Sequence, residues 1–121
     1  MHALGGYRIQ GRSDEAARTL KEQARELAGA GAAMLVLELI PRGLAAEVSA
    51  ALSIPVIGIG AGVACDGQVL VLHDMLGIVA GKPPRFVRDF MQGSANMEEA
   101  IRRYVAAVKD QSFPDDKQHS Y

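Results

Sequence analysis

The chain has 121 residues and a mass of 12.9 kDa, the size of one small domain, which excludes a multidomain machine. Its 49% hydrophobic and 22% charged residues form a globular composition, clear of the low hydrophobicity that keeps a chain disordered. Thirteen Lys and Arg against fourteen Asp and Glu leave a formal charge of -1, so no basic excess exists to neutralise nucleic-acid phosphates. The longest uncharged apolar run, 54–65, contains Pro55 and several glycines and is too short to span a bilayer. Neither nucleic acid nor membrane is an expected partner. The opening Met1-His2-Ala3-Leu4-Gly5-Gly6 lacks the basic and apolar regions of a signal peptide, and Cys65 has no second cysteine to pair with. A reducing cytoplasm is the expected compartment. With no Trp, three Tyr and three Phe, the core of a lone monomer would be thin.

In chain order, Ser13 precedes Asp14 and Glu15, and apolar residues then recur at Ala16, Ala17, Leu20, Ala24, Leu27 and Ala28. Spacings of three and four predict an amphipathic helix with a capped, acid-rich start, ended by Gly29 and Gly31. The run Ala33-Met34-Leu35-Val36-Leu37, stopping at Glu38, predicts a strand buried on both faces. Beyond Pro41, helical spacing returns at Leu44, Ala45, Val48, Ala51 and Leu52, and Ile54-Pro55-Val56-Ile57-Gly58-Ile59-Gly60 reads as a second buried strand. Alternating helices and wholly apolar strands predict an α/β fold with a parallel sheet. Over 66–77 the pattern divides: Asp66 could cap a helix ended by Gly77, while Val69 and Val71 favour a strand. Pro83-Pro84 predict a helix carrying Phe86, Val87, Phe90 and Met91. Asn96 with Glu99 resembles a capping box before Met97, Ile101, Tyr104, Val105 and Val108. The domain is expected over 1–110, with 111–121 a polar, loosely held C-terminal tail.

Glu38 is the most informative position for chemistry, because a carboxylate closing a buried strand should be partly desolvated. Desolvation raises a carboxyl pKa toward the range useful for proton transfer, and strand C-terminal ends are where α/β barrels place catalytic groups. The plainer reading, a carboxylate marking where the strand meets water, stands beside it. Gly58-Ile59-Gly60-Ala61-Gly62 is a strand-end glycine loop that could cradle an anion on its N–H groups, or simply make a tight turn; it has neither dinucleotide-binding nor P-loop spacing. Gly5-Gly6 before Tyr7 permits another close-approach loop without naming a ligand. Asp66, His73, Asp74 and Cys65 can ligate metals but match no compact zinc motif. His2 and His119 are expected to be solvated near the termini, and Arg102-Arg103 to lie on the wet face of a helix.

Four separated motifs carry a resemblance: Gly5-Gly6-Tyr7-Arg8-Ile9-Gln10-Gly11-Arg12; Leu35-Val36-Leu37-Glu38 with Pro41; Ile54-Pro55-Val56-Ile57-Gly58-Ile59-Gly60-Ala61-Gly62; and Cys65-Asp66-Gly67-Gln68-Val69-Leu70-Val71-Leu72-His73-Asp74. Together with Phe113-Pro114 and His119-Ser120-Tyr121 they resemble ketopantoate hydroxymethyltransferases along essentially the whole chain. The resemblance implies the C-terminal part of a (β/α)8 barrel about twice as long as this chain, incomplete here. Residues 33–38 would be its sixth strand, 56–60 its seventh and a segment near 69–79 its eighth. It implies transfer of a hydroxymethyl unit from 5,10-methylenetetrahydrofolate to α-ketoisovalerate in pantothenate synthesis, with Mg2+ chelated by the keto acid and a homo-oligomeric assembly. Glu38 falls on that family's proton acceptor, while its metal and substrate ligands lie on the first four strands and have no counterpart among these residues. Two further readings remain: a catalytically incomplete fragment or assembly subunit, and a half-barrel binding a phosphate or carboxylate through its glycine loop.

Overall fold

The computed structural model describes residues 8–121. The Gly5-Gly6-Tyr7 segment and His2 lie outside the described residues. Ser13 caps the first helix as its position predicts: Oγ accepts the Ala16 amide at 3.1 Å, and Asp14 and Glu15 meet the positive end of α1 (Asp14–Gly29). The chain continues through β1 (Leu35–Glu38), α2 (Arg42–Ala51), β2 (Val56–Ile59), β3 (Gly67–Gln68), the single turn α3 (Leu72–Met75) and α4 (Met97–Lys109). The strands form a parallel sheet in the order β1-β2-β3, with Leu35 opposite Val56, Glu38 opposite Ile59 and Ile57 opposite Gly67.

Side chains alternate across a strand, and here the alternation separates a covered face from an open one. Leu35, Leu37 and Val56 point to the helices, where Ala24 of α1 and Leu44, Ala45 and Val48 of α2 complete a core. Val36 and Glu38 point the other way, and Val36 is 55% exposed. The expectation that 33–38 is buried on both faces is therefore corrected: an all-apolar run needs two covers, and the described residues supply one. A second core gathers Leu39, Leu70, Met75, Leu76, Phe86, Val87, Phe90 and Phe113 with Ala100 and Ala107 of α4. Phe90, with no exposed area, meets Tyr104 and Phe113 edge-on at ring separations of 5.4 and 5.3 Å.

Three further expectations are corrected. No strand runs over 69–79: after the Val69 amide bonds the Gly58 carbonyl at 3.0 Å the ladder stops, and α3 turns Met75 and Leu76 together into the second core. Continued strand alternation would have sent those two neighbours to opposite faces. The segment 83–91 is not a helix; Pro83 and Pro84 contribute no amide hydrogens, and Phe90 donates its own to Met75 at 2.8 Å instead of to a helical turn. Phe86, Val87 and Phe90 are nevertheless buried, each placed by an irregular backbone. The 111–121 segment is docked rather than loose, with Phe113 3% and Ser120 2% exposed. At α4, Asn96 Oδ1 accepts the Glu99 amide at 2.9 Å as expected, while the Glu99 carboxylate reaches one residue further back, to the Ala95 amide.

Candidate functional site

Glu38 ends β1 at the C-terminal edge of the parallel sheet, the edge at which ligands of α/β folds bind. Its carboxylate is exposed and no hydrogen bond or ion pair fixes it among the described residues. The expected partial desolvation is thus corrected, for the reason that leaves Val36 exposed: both project from the uncovered face. Immediately beyond, Leu39 adopts φ 54° and donates its amide to Ile59 at 2.9 Å, tying the ends of β1 and β2 together. Gly60, at φ 65°, closes over it; an added Cβ would lie 3.0 Å from Leu39 Cδ2.

The glycine loop after β2 approaches a neighbour closely, and the carboxylate beside it, which also comes from the chain itself, is held by the amide just past the loop rather than by the loop's own amides. Gly62 lies so near α2 that a Cβ would sit 2.7 Å from Arg42 Cβ. The next amide, of Val63, donates to Asp116 Oδ1 at 3.0 Å, and the Ser120 hydroxyl donates to the same oxygen at 2.9 Å. Arg42 Nη1 donates to the Asp116 carbonyl at 2.9 Å, and the Arg42 amide, an orphan donor of the first turn of α2, donates to the Tyr121 carbonyl at 3.0 Å. Arg85 adds bonds to the Lys117 and Gln118 carbonyls. The strand ends, the start of α2 and the C-terminal segment are therefore one stitched unit behind Glu38.

His119 belongs to this unit and is not a solvated terminal residue. Its Nδ1 accepts the Asp115 amide at 3.0 Å and its ring lies 5.2 Å from that of Phe113. Burial pushes the imidazole below its ordinary 6.5; Asp115 opposes the shift, and Arg88 and Arg85 add to it. Burial also pushes the Cys65 thiol up, consistent with a packing residue beneath Gly58 rather than a nucleophile. Asp66 accepts the Val56 amide at 2.8 Å, a bond that braces the start of β2. Among the described residues no three His, Cys, Asp or Glu gather where a metal could be held, and no helix is long and apolar enough to cross a membrane. Arg102 lies on the wet face of α4 beside Glu98, as expected, whereas Arg103 turns inward to the Phe90 and Gln92 carbonyls and Ser94 Oγ.

The anchoring roles of Asp116 and Ser120 were not legible in the sequence because 111–121 reads as a polar, loosely held tail, and that of Arg42 because a single arginine after Pro41 carries no pattern. For the first two the signal was the grouping of Pro114-Asp115-Asp116 with His119-Ser120-Tyr121, polar groups beside ring residues able to anchor them.

The family profile of ketopantoate hydroxymethyltransferase matches residues 1–116. The chain is 66% identical over 114 residues to 3-methyl-2-oxobutanoate hydroxymethyltransferase of Methylobacillus flagellatus, covering 94% of this chain and 44% of that protein. It is 59% identical over 122 residues to the second such enzyme of Methylibium petroleiphilum and 55% identical over 121 residues to the first of Burkholderia cenocepacia, in each case covering 100% of this chain and 44% of the relative. The chain thus spans less than half the length of these curated relatives. With the profile match over almost its whole length, the chain belongs to the ketopantoate hydroxymethyltransferase family.

Proposed function

We propose that this chain is the C-terminal part of a (β/α)8 barrel and supplies the base for transfer of a hydroxymethyl unit to 3-methyl-2-oxobutanoate. The observation that carries the reading is Glu38, a carboxylate at the C-terminal end of a parallel strand in a chain 66% identical to such a transferase. The Glu38 carboxylate takes the proton from C3 of the keto acid. Water opens the methylene bridge of 5,10-methylenetetrahydrofolate, so that tetrahydrofolate leaves and the carbon is released as formaldehyde; the enolate carbon bonds to that carbonyl carbon, whose oxygen takes up a proton to become the hydroxyl of the hydroxymethyl group. Substrate acidification calls for positive charge near the keto acid, which in this family is Mg2+. The described residues do not assemble a donor set for that ion, and its ligands are assigned to a segment outside them. The reaction is assigned to the cytoplasm and to a homo-oligomer in which the open sheet face is covered.

The test is ketopantoate formation by the chain together with the N-terminal portion of the Methylobacillus relative, with keto acid, methylenetetrahydrofolate and Mg2+. Glu38→Gln should lower turnover by about 100-fold or more, the usual scale of general-base loss, while leaving association of the two parts unchanged. Equal turnover in the variant refutes the assignment. A second reading, a subunit that only completes an assembly, is favoured by the exposed Glu38 carboxylate and by the lack of a metal donor set among the described residues. It predicts association of the two parts with no turnover in either form.

A further inference from the structure

Among the described residues Leu39 and Gln111 carry a side chain at positive φ. Gln111 is exposed and follows the C-cap of α4, a place where a left-handed residue commonly ends a helix. Leu39 ends no helix. At φ 54° its Cβ crowds the following carbonyl, a conformation that a bulky apolar residue keeps only where its surroundings impose it. Backbone strain of this kind gathers at functional positions, and Leu39 is the residue next to Glu38.

Were β1 to continue, residue 39 would join Leu35 and Leu37 on the helix-covered face, and residue 40 would join Glu38 on the open one. The left-handed turn breaks that alternation: Leu39 is 4% exposed in the second core and Ile40 3% exposed in the first. Glu38 therefore stands between Leu37, anchored in one core, and Leu39, anchored in the other. Both backbone groups of Leu39 are fastened as well, its amide to the Ile59 carbonyl and its carbonyl to the Gln10 amide, each at 2.9 Å. Its side chain has no room to shift, since a Cβ on Gly60 would lie 3.0 Å from Leu39 Cδ2 and 3.2 Å from Phe86 Cγ. The Glu38 carboxylate has no partner of its own among the described residues, so its direction is set from the backbone. We propose that Leu39 is a positioning residue for Glu38, its left-handed backbone and buried side chain holding the carboxylate on the open face at the strand end. A base must come within about 2.6–3.2 Å of the proton it removes, and a misplacement of about 1 Å costs about 100-fold in rate. The consequence for turnover rests on Glu38 as the base proposed above; the rigidity of Glu38 does not.

The experiment has two arms, and the first is NMR relaxation of backbone amides in the 121-residue chain. The order parameter of the Glu38 amide should be about 0.85 in the parent, that of rigid backbone, and fall to about 0.6 in Leu39→Val, with Leu37 and Ile57 unchanged. Val is smaller, and its β-branch resists the left-handed backbone; Leu39→Met, unbranched at Cβ and of similar volume, should recover most of the loss. An unchanged value in a folded Leu39→Val overturns the proposal, and a value below about 0.6 in the parent does so without any variant. In the second arm the chain is combined with the N-terminal portion of the Methylobacillus relative. Leu39→Val should lower kcat by about tenfold or more with the KM for keto acid within about twofold, and should have no further effect in the Glu38→Gln background. The same fractional loss in both backgrounds overturns the proposal, because a merely structural residue acts whether or not the base is present. Parental turnover in Glu38→Gln alone counts against the base assignment instead, and the order parameters then decide whether Leu39 holds Glu38 in place.

Discussion

Asp116→Ala removes one carboxylate oxygen that serves two donors, the Val63 amide at 3.0 Å and the Ser120 hydroxyl at 2.9 Å. Ser120 is 2% exposed and Val63 half-buried, so water replaces neither bond freely. A hydrogen bond to a charged group contributes about 1.5–3 kcal/mol, and a stranded buried donor costs about 1–3 kcal/mol. Asp116 is itself half-buried, which screens part of this, and the two bonds together come to about 2–4 kcal/mol. At roughly 4 °C per kcal/mol for a domain of this size, the melting midpoint should fall by about 8–16 °C. Asp116→Asn keeps a carbonyl oxygen in place and should lose about half as much. Thermal melts followed by circular dichroism give the midpoint, and hydrogen exchange at the Val63 amide gives the local effect. If Asp116→Ala costs under about 1 kcal/mol and Val63 exchange is unchanged, the C-terminal segment merely lies on the glycine loop and does not hold it.

Gly62→Ala combines a φ of 88° with a Cβ 2.7 Å from Arg42 Cβ, and should cost about 2–4 kcal/mol in urea denaturation. Gly29→Ala is its control: with nothing within 4 Å and a helical backbone, it should be neutral or stabilise by up to about 1 kcal/mol, and equal losses at the two sites would refute the contact argument. His119 gives a pH dependence. Burial holds its imidazole below 6.5 in the folded chain, so the unfolded chain takes up the proton first as pH falls. The stability contributed by neutral His119 is complete above about pH 6.5 and is lost as pH drops through the lower folded value. Protonation also removes Nδ1 as acceptor for the Asp115 amide. The melting midpoint of the parent should therefore fall more steeply on acidification than that of His119→Gln; parallel curves contradict the assignment.

What the sequence made legible was local chemistry. Ser13 and Asn96 each bond an amide three residues ahead, within reach of a single turn, and both caps stand where they are expected. The parallel β1 and β2 follow from apolar runs bounded by Gly, Pro and Glu38. Contacts between distant residues were not legible. Asp116 meets Val63 across 53 positions, and a polar segment looks the same to pattern whether its groups bond water or a buried amide. Phe86, Val87 and Phe90 recur at helical spacing, yet the second core buries them from an irregular segment, so periodicity recorded which residues are inside without recording the backbone that takes them there. Glu38 was found because it interrupts an apolar run. Its exposure could not be read, since burial depends on what lies across the sheet.

That dependence couples the assembly of the site to its chemistry. Withdrawing water from a carboxylate raises its proton affinity, which a base acting on a carbon acid requires, and it also costs free energy. Glu38 stands two residues after Val36, on the same face of β1. Val36 is 55% exposed, and Ile57 beside it in β2 is half-buried. A cover of packed protein laid across this face to dry Glu38 also buries Val36 and the rest of Ile57. Full burial of such a side chain stabilises by about 1.5–3 kcal/mol, so the exposed fractions of the two together would return about 1–3 kcal/mol. That gain partly offsets the desolvation of Glu38, and it is available only to an occupant that reaches across the sheet. A bound small molecule at the strand ends could dry the carboxylate without touching Val36, and would bear the cost alone. Apolar residues alternating with the base thus favour a cover made of packed protein over one made by substrate.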